Sequence, residues 1–202
     1  MFTLPNLITI FRILLVPVFA LAFALPGDTA RLTAFVVFCI AGASDALDGL
    51  AARKLNATSS FGRMLDPIAD KILVGVALMM LVAEGTVPQF NLVPGLASLL
   101  KLVPALVILA REILVSGLRE FLAGLSVSVP VSSIAKTKTT IQMIAIGAMI
   151  LGPIADRFVP GAEAFAYVAL WIAAALTVYT GHAYFRAGLA YLHPRSDSGD
   201  VA

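Results

Sequence analysis

Six stretches of this chain, at about 8–25, 31–53, 64–84, 101–123, 134–152 and 163–187, are nearly continuous apolar residues separated by Pro, Gly and Asp clusters. A run of about 20 such residues is long enough to cross the hydrocarbon core of a bilayer, and a backbone in lipid must satisfy its own polar groups, which a helix does. The expectation is an all-α, polytopic membrane protein with six transmembrane helices. Composition agrees: 60% of the 202 residues are hydrophobic and only 13% are charged, against roughly 45–50% and 25% in soluble proteins. That balance excludes a soluble globular enzyme and a disordered chain. With short connections there is little left for a second domain, so residues 1–195 are expected to form one membrane domain, and 196–202 (SDSGDVA) a frayed tail. The formal net charge of +2 is too weak to argue for a nucleic-acid partner. The single cysteine, Cys39, has no partner within the chain and leaves the redox compartment unread.

The first run invites a reading as a secretory signal with LPGDTA as its cleavage region. However, Arg12 sits inside a run already opened by LPNLITIF and no basic stretch precedes it, so the helix is expected to stay. Orientation follows from the loop cations. With the N-terminus inside, Arg53, Lys54, Arg63, Arg119, Lys136, Lys138, Arg186 and Arg195 fall on the cytoplasmic side, against Arg31, Lys101 and Arg157 outside. Both termini are therefore expected in the cytoplasm. Tyr179, Tyr184 and Tyr191 resemble an interfacial aromatic belt, and His182 and His193 read as surface residues with no assigned chemistry.

An ionised carboxylate in a transmembrane helix costs roughly 2.5–3.5 kcal/mol on insertion scales. This chain places Asp45, Asp48, Asp66 and Asp70 on two successive helices. Spacings of three and four put each pair on one helix face. The short connection from about Arg53 to Arg63 makes the helices antiparallel neighbours, so all four carboxylates are expected to converge at the cytoplasmic end. Lys71 and Arg53 neutralise only part of that charge, and an interhelical ion-pair network is the bland alternative. Four converging oxygen ligands instead favour hard divalent cations such as Mg2+ or Mn2+. Gly49 clears space for a ligand against the backbone, Ala52 keeps the next turn narrow, Arg53 brings a guanidinium suited to phosphate, and Gly62 opens the following helix.

Read in order, these residues are Asp45-x2-Asp48-Gly49-x2-Ala52-Arg53-x8-Gly62-x3-Asp66-x3-Asp70. The string resembles, at every fixed position, the signature of the CDP-alcohol phosphatidyltransferase family. Eight positions, each matched by chance about one time in twenty, leave accidental agreement negligible. The resemblance implies a six-helix membrane enzyme, a homodimer, that displaces CMP from a CDP-linked lipid with an alcohol at the cytoplasmic face. By the same resemblance Asp45, Asp48, Asp66 and Asp70 hold two divalent ions, Mg2+ or Mn2+, and Asp70 also acts as general base. Gly49, Arg53 and Ser59 would contact the cytidine diphosphate of CDP-diacylglycerol, helped by Asn6 and Thr9 at the start of the first helix. Two divalent ions suit a pyrophosphate, and a carboxylate beside them suits the proton of an incoming hydroxyl.

The acceptor must be read outside the signature. LPNLITIFRILLVPVFA, FGRMLDPIADKILV, REILVSGLREFLA and KTKTTIQM look like stretches of the bacterial branch of the family that uses sn-glycerol 3-phosphate. That branch implies location in the bacterial inner (cytoplasmic) membrane. Arg111 and Glu112 fall near the middle of the fourth run, where an ionisable pair is a functional candidate by default. At 100° per residue, Arg111, Glu112, Val115 and Arg119 share an arc about 100° wide. Lys136 shares a face with Thr140, and Lys138 points to nearly the opposite side, so one lysine is expected in the pocket. The resemblance favours Lys136 and Arg119, with Arg111 behind them, as the site for the phosphate of sn-glycerol 3-phosphate. Positive-inside topology is the competing explanation for Arg119 and Lys136. The rival functions are another branch, making cardiolipin or phosphatidylinositol phosphate, and a small divalent-cation transporter. A transporter would spread its carboxylates through the membrane depth, whereas these gather at one end.

Overall fold

The computed structural model describes residues 4–55, 60–84, 94–125 and 133–192, and within them the side chains outside 45–61, 94–101, 133–136 and a few further positions. The described residues form six helices: α1 (Leu4–Ala24), α2 (Asp28–Leu55), α3 (Ser60–Glu84), α4 (Pro94–Gly124), α5 (Ser133–Ala155) and α6 (Ala162–Leu192). Each contains one of the six apolar runs, apart from the last residue of the first run, Leu25. The tail 196–202 lies outside the described residues.

The turns follow from local chemistry. Gly27, at φ +102°, takes the left-handed conformation that turns α1 into α2, and its carbonyl accepts from the Arg31 amide at 3.1 Å. Asp156 caps α6: its Oδ1 accepts from the Gly161 amide at 2.9 Å and the Glu163 amide at 3.2 Å. Prolines 17, 67, 104 and 153 sit inside helices. That is tolerated where neighbouring helices re-satisfy the backbone groups a proline frees.

Polarity is turned inside out. On α1, Leu7, Phe11, Leu14, Val18 and Leu21 run along the outer face, all at least 46% exposed. Asn6, Thr9 and Arg12, at a spacing of three, are buried on the opposite face. An exposed apolar stripe of this size belongs against lipid. Helices over Asn6–Ala24, Thr137–Ala155 and Ala162–Arg186 are long and apolar enough to cross a membrane, which makes this an integral membrane protein. Helices α2, α3 and α4 carry the ionisable residues of the candidate site, and those residues lower their hydropathy.

The apolar core lies where α1, α2, α3 and α5 meet, around Phe19, Phe38, Leu73, Leu78, Ile146 and Met149, each at most 2% exposed. Phe19 stacks against both Phe23 and Phe38 in tilted pairs with centroids 5.7 and 5.9 Å apart. Helix α1 packs closely on both α2 and α3, which touch each other sparingly. Among the described residues, α1 is thus the helix that packs most on both aspartate-bearing helices. Far from the aspartates, the buried Arg31 guanidinium pairs with Glu84, donates from Nε to the Ile150 carbonyl at 2.6 Å and lies 4.6 Å over the Phe23 ring. This one side chain ties α2 to α3, α5 and α1.

Candidate active site

Asp66 and Asp70 lie one turn apart on α3 and are both half-buried. The hydroxyl of Thr9, fully buried on α1, donates to Asp66 Oδ1 at 2.6 Å. One turn further along α1, the buried Arg12 donates from Nε to Ser44 Oγ at 3.2 Å, and the Ser44 hydroxyl donates to the Ala41 carbonyl at 2.7 Å. Ser44 immediately precedes Asp45 on α2. The buried polar face of α1 therefore reaches both helices of the sequence signature. Gly62 is buried at the start of α3. The side chains of Asp45, Asp48, Gly49, Arg53 and Ser59 lie outside the described residues. Lys71 turns back along its own helix, its ammonium donating to the Pro67 carbonyl at 2.8 Å.

Asp70 borders two spaces. The larger, about 590 Å³, is a groove between α2 and α5 with Arg12, Asp70, Thr139 and Thr140 among its polar lining and Phe35, Phe38, Met143 and Leu151 along its apolar length. The smaller is walled by Asp70, Lys71, Glu112, Lys138, Thr139 and Gln142. Lys138 on α5 is buried and ion-paired with Glu112 on α4. Glu112 also accepts from Arg111 Nη1 at 3.1 Å, and Arg111 Nη2 reaches Thr180 Oγ1 on α6 at 3.0 Å. Arg111 fits because Gly181 has no side chain; a Cβ there would lie 3.1 Å from its Nε.

Of the cations expected to meet the acceptor, Arg111 is half-buried in this network, Arg119 is exposed on α4, and the side chain of Lys136 lies outside the described residues. Lys138 is brought into the wall of the Asp70 cavity, together with Lys71. Periodicity separates the faces of Lys136 and Lys138 but carries no information on which face turns inward. An ionisable residue within an apolar run was the available signal, and it applied to Lys138, near the start of its run, as well. Thr9 was expected at a nucleotide; the structure places its hydroxyl on Asp66.

Among the described residues, this arrangement gathers Asp66, Asp70 and Glu112 with the cations Arg12, Lys71 and Lys138 at one end of an apolar groove. It marks a polar site at one end of an apolar groove in a membrane-embedded protein. Residues 2–179 match the CDP-alcohol phosphatidyltransferase family, and the chain belongs to that family. It is 45% identical over 188 residues to a protein of Rickettsia bellii (strain RML369-C), covering 93% of this chain and 96% of that one. It is 40% identical over 197 residues to one of Pseudomonas fluorescens, covering 96% and 93%. Against one of Bacillus subtilis (strain 168) it is 39% identical over 197 residues, covering 92% and 94%. All three relatives are named CDP-diacylglycerol--glycerol-3-phosphate 3-phosphatidyltransferase.

Proposed function

We propose that this protein transfers the phosphatidyl group of CDP-diacylglycerol to sn-glycerol 3-phosphate, giving phosphatidylglycerophosphate and CMP. The observation that carries the reading is the near full-length similarity to relatives named for that reaction. The site adds physical support, since Asp70 borders both an apolar groove suited to a lipid and a smaller space walled by Lys138, with Arg111 behind it on Glu112. The hydroxyl oxygen of the acceptor attacks the phosphorus bearing the diacylglycerol, the bond from that phosphorus to the CMP oxygen breaks, and Asp70 takes the hydroxyl proton.

Asp45, Asp48, Asp66 and Asp70 would hold two divalent ions, Mg2+ or Mn2+. The residues fit such ions: the donors are carboxylates, and the Thr9 hydroxyl occupies one lone-pair site of Asp66, leaving the others for a cation. When bound, the ions supply charge compensation for the pyrophosphate and the departing CMP. Asn6, Thr9, Gly49, Arg53 and Ser59 bind the nucleotide part of the donor, and Arg111, Arg119 and Lys136 the acceptor phosphate. We place all six helices across a bacterial inner membrane, with both termini and the site cytoplasmic, in a single domain of residues 1–195 that forms a homodimer.

The test is CMP release by purified protein supplied with CDP-diacylglycerol, Mg2+ and a panel of sn-glycerol 3-phosphate, phosphatidylglycerol, inositol phosphate and serine. Preference for sn-glycerol 3-phosphate is expected. Preference for another acceptor overturns the branch, and absence of CMP release with all of them overturns the activity.

A further inference from the structure

We infer that Thr9 and Arg12 on α1 are positioning residues that set the spacing of the two aspartate-bearing helices, and with it the affinity of the site for divalent ions. The inference rests on the two-ion reading above. Three observations carry it. Among the described residues, helix α1 packs on both α2 and α3 more extensively than those two pack on each other, so α1 helps fix their relative placement. Thr9, 0% exposed, donates directly to a carboxylate oxygen of Asp66 on α3. Arg12, 1% exposed, holds Ser44 on α2, and whatever holds Ser44 holds the helix turn that carries Asp45.

Both contacts are at least partly buried and both link residues distant in sequence, with separations of 57 and 32 residues. Neither is needed to form α1, whose apolar stripe and length suffice for a helix in lipid. A fully buried guanidinium in a lipid-facing helix is costly unless bonded. Its bond to Ser44 spends that cost at the junction with the carboxylates. A carboxylate oriented by an outer hydroxyl donor loses fewer of its conformations when it ligates a cation. Such outer partners typically contribute ten- to a hundredfold in metal affinity.

The test is direct Mn2+ binding to purified protein, followed by loss of the free-ion paramagnetic resonance signal and requiring no turnover. Thr9→Val, nearly isosteric but without the hydroxyl, should weaken Mn2+ binding ten- to a hundredfold, and Thr9→Ser should restore most of it. Ser44→Ala and Arg12→Lys should each weaken binding severalfold. Arg31→Met, which removes a buried cation about 21 Å along α2 from Asp45 at 1.5 Å per residue, should lower thermal stability and leave Mn2+ affinity unchanged. Wild-type affinity in Thr9→Val, or in both Ser44→Ala and Arg12→Lys, overturns the inference. So does a Thr9→Ser variant as weak as Thr9→Val, since the methyl rather than the hydroxyl would then matter. Failure of the wild-type protein to bind Mn2+ saturably is a different outcome: it overturns the two-ion reading itself, and the inference with it.

Discussion

The buried Lys138 on α5 and the half-buried Glu112 on α4 form an ion pair in the wall of the cavity that Asp70 also lines. An ammonium has three donors and Glu112 needs only one of them, so Lys138 keeps capacity for an anion arriving beside Asp70. Glu112 meanwhile balances two cations, Lys138 and Arg111. Its neutralisation leaves both with no counter-ion in that contact. Glu112→Gln should therefore destabilise the protein by about 3 kcal/mol or more, measured as the shift of the thermal unfolding midpoint in detergent. An unchanged midpoint would show that the pair contributes little to the fold.

The acceptor cations can be ranked by Michaelis constants. A charge-assisted contact to phosphate is worth about 1.5–3 kcal/mol, so losing one should raise the acceptor KM about ten- to a hundredfold. Lys138→Met, Lys136→Ala and Arg119→Ala should each do this with little change in the donor KM. A variant with wild-type KM and kcat removes that residue from the acceptor site. Arg119, exposed on α4, is then best read as a topology signal.

Chelation tests the ions. EDTA should abolish CMP release, and Mg2+ or Mn2+ added in excess should restore it. Full turnover in EDTA is incompatible with four aspartates gathered to hold cations.

Asp70→Asn separates base from ligand. The amide keeps an oxygen but accepts no proton, so kcat should fall by roughly 10² or more while CDP-diacylglycerol still binds. Near-normal turnover would exclude Asp70 as the base, and lost donor binding would make it chiefly a metal ligand.

Arg31→Met addresses stability away from the site. It removes the pair with Glu84, the bond to the Ile150 carbonyl and the contact with Phe23. Glu84 is 41% exposed and can rehydrate, so the loss should be about 1–3 kcal/mol, with kcat unaltered. A drop in kcat at constant fold would mean that this end of the bundle communicates with the aspartates.

The helices and the signature aspartates were legible in the sequence by itself. A lipid environment makes helix formation a local requirement, met by any sufficiently long apolar run, and the six runs correspond to α1 through α6. Asp66 and Asp70 announced themselves because a carboxylate in such a run is expensive wherever it later points. Tertiary structure alone decided who touches whom. The short loop between α2 and α3 suggested neighbours, and only the structure shows that α1 also lies against both, with Thr9 on Asp66 and Arg12 on Ser44. Helical periodicity placed Lys136 and Lys138 on different faces, and only the packing of α5 against its neighbours turned Lys138 toward Glu112 and the Asp70 cavity. The physical reason is the same in each case: backbone hydrogen bonding is settled within four residues, whereas the burial of a polar side chain is settled by whichever distant helix supplies its partner.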